Sequence, residues 1–255
     1  MESKKVFVIA HRGANAEAPE NTLKAFELAV DAGADFVEFD VHLSSDGELV
    51  VIHDFFVNRT TNGKGRVSRL TAAQLAALDA GEGQGVPTFE EVVEVCRGRV
   101  GLQVEIKGAG AAGVLARKVR ELGVDPDRVL VSSFRHSELA ELRRTDSELA
   151  VAPLVPTGLG WATDWLTSRL WPRRLVRVAT RLGAVALHPF HKVLNENVVA
   201  EARNAGVRVH PWTIDDPARV RQLLDWGAGG VITNDPRSIR RVLEERSASV
   251  GAHEV

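Results

Sequence analysis

Polar side chains recur in this sequence at the ends of short apolar runs, where extended segments would present them to a common place. Four segments carry such groups: His11 and Arg12, Glu38 and Asp40, His53, and Glu105 and Lys107. A single histidine or carboxylate is more often a hydrogen-bonded structural residue than a catalyst. Several of them converging on one place would indicate chemistry.

The carboxylates of this set predict a site for a hard divalent cation. Glu38 and Asp40 are separated by one residue, so on a strand both side chains lie on the same face. Together with Glu105 they would concentrate negative charge in a region of low dielectric constant, where unpaired carboxylates protonate or repel one another. Oxygen ligands favour Mg²⁺ or Ca²⁺ over zinc. We therefore predict one divalent cation, Mg²⁺ or Ca²⁺, at these carboxylates.

The basic and titratable side chains indicate a substrate that carries a single negative charge. Three carboxylates and one divalent cation leave about one negative charge, which Arg12 and Lys107 more than offset. The planar guanidinium of Arg12 can pair with two oxygens of a phosphodiester. His11 and His53 titrate near neutrality, so one can accept a proton while the other donates one. These groups suit phosphodiester cleavage; the alternative is that both histidines only cap strands.

A barrel of parallel strands would bring these segments together. Apolar runs predict strands at 6–10, 36–43, 49–53, 102–106, 129–133, 150–153, 184–187, 207–212 and 231–233. Amphipathic stretches predict helices at 22–32, 71–78, 89–96, 112–122, 137–144, 196–205 and 217–226. Asn21 is the predicted N-cap of the first helix, and Gly33, Gly123, Gly206 and Gly227 are predicted helix stops. This alternation indicates one (β/α)8 TIM barrel, whose carboxyl-terminal mouth normally carries the chemistry.

The strand count predicts one irregular unit. Nine runs have the pattern of a strand, one more than a (β/α)8 barrel holds. The segment between residues 43 and 49 is too short for a crossover helix, so the unit near residues 36–54 is expected to deviate. A single domain is predicted over residues 1–246, and the composition predicts a disordered tail at 247–255.

The composition argues against several other classes of protein. The chain has 255 residues and a formal net charge of −2, which gives no reason to expect nucleic acid or an anionic membrane as partner. Cys96 is the only cysteine, so no internal disulfide can form. No window approaches the ~18 to 20 apolar residues of a membrane-spanning helix. We predict a cytoplasmic protein that acts on a small molecule.

The same residues closely resemble the glycerophosphodiester phosphodiesterase family. Motifs of that family occur in order: "HRG" at 11–13, "PENT" at 19–22, "EFDVHLSSDGELVVIHD" at 38–54, "VPTFEEVV" at 86–93, "VEIK" at 104–107, "VSSF" at 131–134, "PWTID" at 211–215 and "VITNDP" at 231–236. The resemblance extends over nearly the whole chain. It implies a (β/α)8 barrel that hydrolyses glycerophosphodiesters to sn-glycerol 3-phosphate and an alcohol.

The resemblance also implies a role for each matching residue. The motifs imply His11 and His53 as the general acid–base pair, Glu38, Asp40 and Glu105 as metal ligands, and Arg12 and Lys107 as phosphate contacts. They also imply Glu20 and Asn21 as substrate contacts beside the same mouth. Trp212 is expected to line the glycerol pocket, with filling of the barrel mouth as the alternative.

Two positions depart from the family pattern. Asp215 stands where the family usually has asparagine, and the stretch 226–234 lacks an aspartate that often precedes the final strand. Both lie in the last repeat, so we expect them to affect glycerol recognition without removing the metal or the histidines. No large insertion follows "IHD", and the glycerol-binding cap is therefore expected to be small and to lie within residues 55–85.

Other functions remain open from the sequence alone. A lysophospholipase D-like hydrolase would use the same barrel on a longer acyl substrate. A non-catalytic barrel would bind glycerophosphodiesters without turnover, and a purely structural pairing of the carboxylates with Arg12 and Lys107 would bind no metal. The sequence also does not distinguish attack by water from attack by a substrate hydroxyl through a cyclic phosphate.

The stretch 158–183 has no counterpart among these motifs. It contains tryptophans at 161, 165 and 171 together with arginines at 169, 173, 174, 177 and 181, and Pro172 should interrupt any single helix. Such a stretch could rest on a lipid interface. We favour the alternative, an outer barrel helix whose apolar side packs inward while its arginines face solvent.

Overall fold

Parallel strands form a nearly closed barrel in the computed structural model, which describes residues 5–155 and 171–251. In chain order the strands are β1 (Phe7–His11), β2 (Phe36–Leu43), β3 (Leu49–Val51), β4 (Gly101–Ile106), β5 (Val129–Ser133), β6 (Ala150–Val155), β7 (Ala186–Pro189), β8 (Arg208–Val209) and β9 (Gly230–Thr233). Their order around the barrel is β8-β7-β6-β5-β4-β2-β1-β9. Backbone bonds from Gly229 N to Val209 O (2.9 Å) and from Ile232 N to Pro211 O (3.0 Å) join the last strand to the eighth. The predicted TIM barrel is confirmed.

The ninth strand accounts for the irregular unit. β3 lies outside the barrel path and pairs antiparallel with β2, with Val41 opposite Val51 and Leu43 opposite Leu49. A tight turn joins the two strands, because the Ser44 backbone N–H donates to Glu48 O at 2.9 Å. The extra strand-like run is therefore the second arm of a hairpin.

Helices alternate with the strands and, apart from the short α2 of the cap, cover the outside of the barrel in the described ranges. They are α1 (Leu23–Asp31), α2 (Ala72–Ala76), α3 (Phe89–Cys96), α4 (Ala111–Glu121), α5 (His136–Thr145), α6 (Trp171–Arg181), α7 (Glu196–Asn204), α8 (Pro217–Asp225) and α9 (Pro236–Gly251). The predicted glycine stops follow α1, α4, α7 and α8 and all have positive φ, for example +73° at Gly33. The predicted N-cap of α1 was wrong, because Thr22 and not Asn21 accepts the Ala25 N–H.

Aromatic packing on β2 decides which of its side chains face the barrel interior. The ring centroid of Phe39 lies 5.8 Å from that of Phe26 on α1 and 6.1 Å from that of Phe89 on α3. Because side chains alternate along a strand, Glu38 and Asp40 point the other way. Burial of the aromatic face under two helices thus forces two carboxylates into the barrel.

A small cap follows β3 and has a core of its own. Its buried side chains are Val50, Ile52, Val57, Val67, Leu75, Ala80 and Val86. The short helix α2 begins with a capping box in which Thr71 and Gln74 satisfy each other's backbone N–H groups. The cap therefore folds over the hairpin within the segment that the sequence predicts.

The arginine-rich stretch and the carboxyl-terminal tail are only partly described. Residues 158–170 of the stretch lie outside the described residues, whereas α6 buries Leu175, Val176 and Ala179 and leaves its arginines exposed. α9 extends through Gly251, although the composition predicts disorder from residue 247. Ile239 and Val242 anchor its earlier turns in the core, from which a helix can propagate. Within the described ranges, no helix is long and apolar enough to cross a membrane.

Candidate active site

Strand register brings the predicted site residues together at the carboxyl-terminal mouth of the barrel. His11 lies opposite Glu38 across the β1–β2 pair. Asp40 lies opposite Glu105 across the β2–β4 pair, and Lys107 follows the end of β4. An open pocket of about 390 Å³, mouth included, is lined by His11, Arg12, Glu38, His53, Glu105, Lys107 and Trp212 among others.

The carboxylates of Glu38, Asp40 and Glu105 form one compact buried cluster. Each offers an oxygen within 4.8 Å of the others. Burial raises the pKa of Glu38 well above its usual range, and the Asp40 and Glu105 carboxylates raise it further. Burial and Asp40 likewise raise the pKa of Glu105. Burial and mutual repulsion therefore disfavour ionisation of Glu38 and Glu105 when no cation is bound.

Asp40 is the ionised member of the cluster. Burial alone would raise its pKa, but the nearby Lys107 ammonium and Arg12 guanidinium hold the pKa below its usual value. Oδ2 accepts a hydrogen bond from Asn21 Nδ2 at 3.0 Å and lies 3.3 Å from Arg12 Nε. Oδ1 is buried and has no hydrogen-bond partner among the described residues. Lys107 Nζ, at 3.7 Å from that oxygen, is too distant for a hydrogen bond.

Arg12 adopts a strained backbone conformation that ties it to the cluster. Its φ is +54°, in the left-handed region that non-glycine residues seldom occupy. In this conformation the backbone N–H donates to Glu38 Oε2 at 2.9 Å. The side-chain Nη1 donates to Glu20 Oε1, also at 2.9 Å. Strain at such a position is typical of functional sites.

His11 is partly buried and is held in a neutral state. Burial and the adjacent Arg12 guanidinium lower its pKa to about 4. Its Nδ1 lies 2.7 Å from Asn234 Oδ1, and Asn15 Nδ2 donates to the same oxygen at 2.9 Å. The ring is thereby anchored through one nitrogen, which leaves Nε2 for other contacts.

His53 stands between a carboxylate and an ammonium. Its Nδ1 lies 2.6 Å from Asp54 Oδ1, and its Nε2 lies 3.1 Å from Lys107 Nζ. Lys107 Nζ also donates to Glu105 Oε1 at 2.8 Å. The second histidine is thus connected to the acidic cluster through one lysine.

Arg59 in the cap is a site residue that the sequence reasoning missed. Its guanidinium donates to both oxygens of Asp54, at 2.7 and 3.1 Å, and to both oxygens of Glu20, at 2.9 and 2.8 Å. The bond from Arg59, with a smaller effect of His53, holds the pKa of Asp54 well below its usual value. One cap residue therefore links the partner of His53 to the partner of Arg12.

The structure places Glu20 and Asn21 behind the pocket. Glu20 is shared between Arg12 and Arg59. Asn21 is buried, has a φ of +57°, and donates its amide to Asp40. Asn21 therefore orients a carboxylate and lies outside the pocket lining, and its substrate contact stays a prediction.

Aromatic side chains line the pocket on the side away from the cap. The ring centroid of Trp212 lies 5.6 Å from that of Phe134 and 5.1 Å from that of Phe190, and Trp212 Nε1 donates to His188 O at 2.9 Å. Phe134 lines the pocket and remains 37% exposed. Trp212 both fills the mouth and lines the pocket, which reconciles the two interpretations of it. The sequence signal for Phe134 was its position directly after β5.

A layer of neutral polar side chains lies below the pocket. His188 Nε2 lies 3.2 Å from His210 Nδ1, and Gln103 Nε2 lies 3.5 Å from His188 Nδ1. Both histidines are buried, and burial lowers both pKa values, that of His210 to about 3. This layer separates the charged mouth from the opposite end of the barrel.

Fold and site together define a barrel phosphodiesterase with an acidic cluster, and the comparisons with known proteins agree. The family model for the glycerophosphoryl diester phosphodiesterase family matches residues 11–238. A glycerophosphodiester phosphodiesterase of Caldanaerobacter subterraneus subsp. tengcongensis is 35% identical over 248 residues, 92% of this chain and 96% of the relative. One of Bacillus subtilis is 30% identical over 93% of this chain and 86% of its own.

Solved structures show the same architecture. A phosphodiesterase of Oleispira antarctica, in complex with the product sn-glycerol-3-phosphate, has a TM-score of 0.81 and 31% identity, and the match covers 93% of this chain and 96% of that one. A glycerophosphodiester phosphodiesterase of Thermotoga maritima has a TM-score of 0.77 and 26% identity, over 93% and 98%. The chain belongs to the glycerophosphoryl diester phosphodiesterase family, and the enzyme class predicted from the sequence is confirmed.

Proposed function

We propose that this chain hydrolyses glycerophosphodiesters to sn-glycerol 3-phosphate and an alcohol, with a divalent cation at the acidic cluster. The observation that carries the proposal is the convergence of three buried carboxylates with His11, His53, Arg12 and Lys107 at one barrel mouth. The product bound to the Oleispira antarctica relative supports the substrate class.

The acidic cluster fits a hard divalent cation. Asp40 Oδ1 is a buried oxygen with no hydrogen-bond donor in the described part of the chain, and burying such an atom without a partner is costly. Burial, and after it repulsion from the neighbouring carboxylates, raises the pKa values of Glu38 and Glu105, and a bound cation would offset both effects. Glu38, Asp40 and Glu105 would hold Mg²⁺ or Ca²⁺. When bound there, the cation supplies positive charge to a non-bridging phosphate oxygen in the transition state.

Arg12 and Lys107 would bind the phosphodiester beside the cluster. Both line the pocket, and both are more than four-fifths buried, so their charges act where water screens little. Glu20 and Asp40 orient the Arg12 guanidinium, whereas Glu105 and His53 orient the Lys107 ammonium. The substrate would therefore meet cations that are already fixed in place.

The two histidines differ in a way that assigns their roles. His11 is neutral near pH 7 because burial and Arg12 lower its pKa to about 4, so its Nε2 lone pair can accept the proton of the attacking oxygen. His53 donates from Nδ1 to Asp54, and a proton on this ring has a carboxylate partner. We assign His11 as the general base, and we assign His53 as the group that protonates the departing alkoxide from Nε2 once the substrate phosphate takes over the Lys107 ammonium that this nitrogen faces here.

Exposed aromatic residues favour a second candidate substrate. Phe55 and Phe56 in the cap are 45% and 50% exposed, and Phe134 lines the pocket. These rings could contact the acyl chain of a lysophospholipid, as a lysophospholipase D-like hydrolase requires.

Product release distinguishes these functions. Glycerol 3-phosphate should appear from glycerophosphocholine and glycerophosphoethanolamine with Mg²⁺ or Ca²⁺, and a chelator should stop it. Turnover of lysophosphatidylcholine alone would favour the second candidate. Metal-dependent binding of glycerophosphocholine without product would favour the non-catalytic barrel, and activity unaffected by chelator would contradict the metal proposal. Phosphorus NMR during turnover would reveal any cyclic phosphate intermediate.

A further inference from the structure

Three residues of the last repeat form a hydrogen-bonded chain that ends on His11. Asp215 Oδ1 accepts from Thr233 Oγ1 and from the backbone N–H of Asn234, both at 2.8 Å. The other oxygen, Oδ2, accepts from Asn234 Nδ2 at 2.7 Å. Asn234 Oδ1 in turn lies 2.7 Å from His11 Nδ1. Asp215, which departs from the family pattern, is thus connected to the proposed base through one amide.

These hydrogen bonds fix the orientation of the Asn234 amide. A carboxylate is an acceptor only, so the Asn234 atom that faces Asp215 must be the NH₂ group. The carbonyl oxygen then faces His11, where Asn15 Nδ2 also donates to it at 2.9 Å. Because that oxygen can only accept, the neutral His11 ring must carry its proton on Nδ1. The lone pair is consequently on Nε2, the nitrogen that a general base needs.

We infer that Asp215 is a positioning residue, which acts through Asn234 to hold neutral His11 in the tautomer that can accept a proton at Nε2. The inference deepens the proposed function and rests on it, since it assumes that His11 is the base. Asp215 itself is exposed and lies outside the pocket lining. Its effect on the reaction therefore depends on which groups donate and which accept in the hydrogen bonds that connect Asp215, Asn234 and His11.

Replacement of Asp215 by asparagine reverses that direction. The backbone N–H of Asn234 is a donor that cannot turn over, so the introduced amide must direct its oxygen toward it. The introduced NH₂ group then faces the NH₂ group of Asn234, and this clash favours a flipped Asn234 amide. A flipped amide presents a donor to His11 Nδ1, which drives the ring proton to Nε2. Alanine at the same position leaves room for a water that can still accept from Asn234.

The experiment compares four variants with the wild-type protein. They are Asp215→Asn, Asp215→Ala, the double exchange Asp215→Asn with Asn234→Asp, and the matched control Asp216→Asn. Asp216 is the adjacent carboxylate, which caps α8 by accepting from Ala218 N at 3.0 Å and has no recorded contact with Asn234. For each variant we would measure kcat and KM with glycerophosphocholine, the thermal unfolding midpoint, and the ¹⁵N chemical shifts of His11.

We expect Asp215→Asn to lower kcat about tenfold or more, with KM within about twofold, and to shift His11 toward the Nε2–H tautomer. Asp215→Ala should lose less activity than Asp215→Asn, the reverse of what a purely structural role for the side chain would give. The double exchange restores an acceptor opposite His11 and should recover kcat to within about threefold. Asp216→Asn should keep both kcat and the tautomer.

Several results would overturn the inference. Wild-type kcat and an unchanged Nδ1–H tautomer in Asp215→Asn would do so, as would a loss of kcat without any tautomer change. Greater damage from alanine than from asparagine would also contradict it, and so would a folded double exchange that recovers nothing. An inactive wild-type protein with the Nδ1–H tautomer would instead refute the proposed function while leaving the hydrogen-bonded chain intact.

Discussion

The two mouths of the barrel are both concave, but they differ in composition. The amino-terminal mouth has the larger cavity, about 1040 Å³ against about 390 Å³. In its wall the rings of Phe7 and Phe36 lie 5.2 Å apart, and the Arg208 guanidinium lies 4.7 Å from the centre of the Phe7 ring. The carboxyl-terminal mouth is smaller and gathers buried carboxylates, cations and histidines.

Under the proposed function, the smaller of the two cavities carries the chemistry. Side chains at the amino-terminal ends of the strands pack against one another and stabilise the barrel. At the carboxyl-terminal ends the same barrel buries like charges and an oxygen without a donor in the described structure, at a cost in stability. We therefore expect substitutions at the carboxyl-terminal mouth to affect turnover and those at the opposite mouth to affect stability.

The largest loss of turnover is expected when a histidine of the carboxyl-terminal mouth is replaced. His11→Ala and His53→Ala should each lower kcat by about 10²- to 10⁴-fold, because each removes one proton-transfer group. His136→Ala is the matched control, since the His136 ring lies outside the pocket lining and its Nε2 lies 3.0 Å from the backbone oxygen of Leu154. Glycerol 3-phosphate release and circular dichroism would be measured for all three. A folded histidine variant with near-normal kcat would remove that residue from the mechanism.

A smaller loss is expected from Arg59→Lys in the cap. Lysine keeps the charge but cannot pair with two oxygens of both Asp54 and Glu20, so His53 would be less well oriented. We expect kcat to fall about tenfold with little change in the unfolding midpoint, because the pairs are partly exposed. Arg66→Lys tests the cap itself, since Arg66 lies over Phe56 at 5.5 Å. An equal fall in kcat in Arg59→Lys and Arg66→Lys would show that turnover depends on the integrity of the cap and not on the link from Arg59 to His53.

The layer between the mouths should affect only the response of stability to acid. Burial lowers the pKa of His210 from 6.5 to about 3, so between these values the unfolded chain binds a proton that the folded chain does not. Stability is therefore lost as the pH falls from about 6.5 toward 3. His210→Gln should reduce the loss of unfolding free energy between pH 7 and pH 5 by about 2 kcal/mol, measured by urea unfolding with chelator. An unchanged loss would show that the ring is not held neutral.

The smallest effect on turnover is expected at the amino-terminal mouth. Phe36→Leu should keep kcat within about twofold while lowering the free energy of unfolding by about 1 kcal/mol, because it removes ring packing on Phe7. The matched aromatic at the other mouth is Trp212, and Trp212→Leu should lower kcat/KM about tenfold through the pocket wall. A reversed pattern would contradict the assignment of chemistry to the carboxyl-terminal mouth.

The parts of the site that follow from local spacing could be predicted from the sequence. Alternation along β2 fixed the shared face of Glu38 and Asp40, and the motif order placed Glu105 beside them. The capping prediction for Asn21 was wrong because its amide found a distant partner, Asp40. Arg59 was missed because it joins Asp54, five residues away, to Glu20, 39 residues away, and only the folded cap brings these together. Asn234 lies in the motif at 231–236 but had no assigned role, because its partner His11 is 223 residues away.

The most direct test of this account is a calorimetric titration of the chelator-treated protein with Mg²⁺ and with Ca²⁺, repeated on Asp40→Asn. The account predicts one cation per chain for the wild-type protein and a large loss of affinity in the variant. The variant should still fold, although it should be somewhat less stable than the metal-free wild type, because Arg12 and Lys107 lose the carboxylate that they hold ionised. Absence of binding to the wild-type protein, or binding that Asp40→Asn leaves unchanged, would contradict a metal-dependent phosphodiesterase site at this mouth.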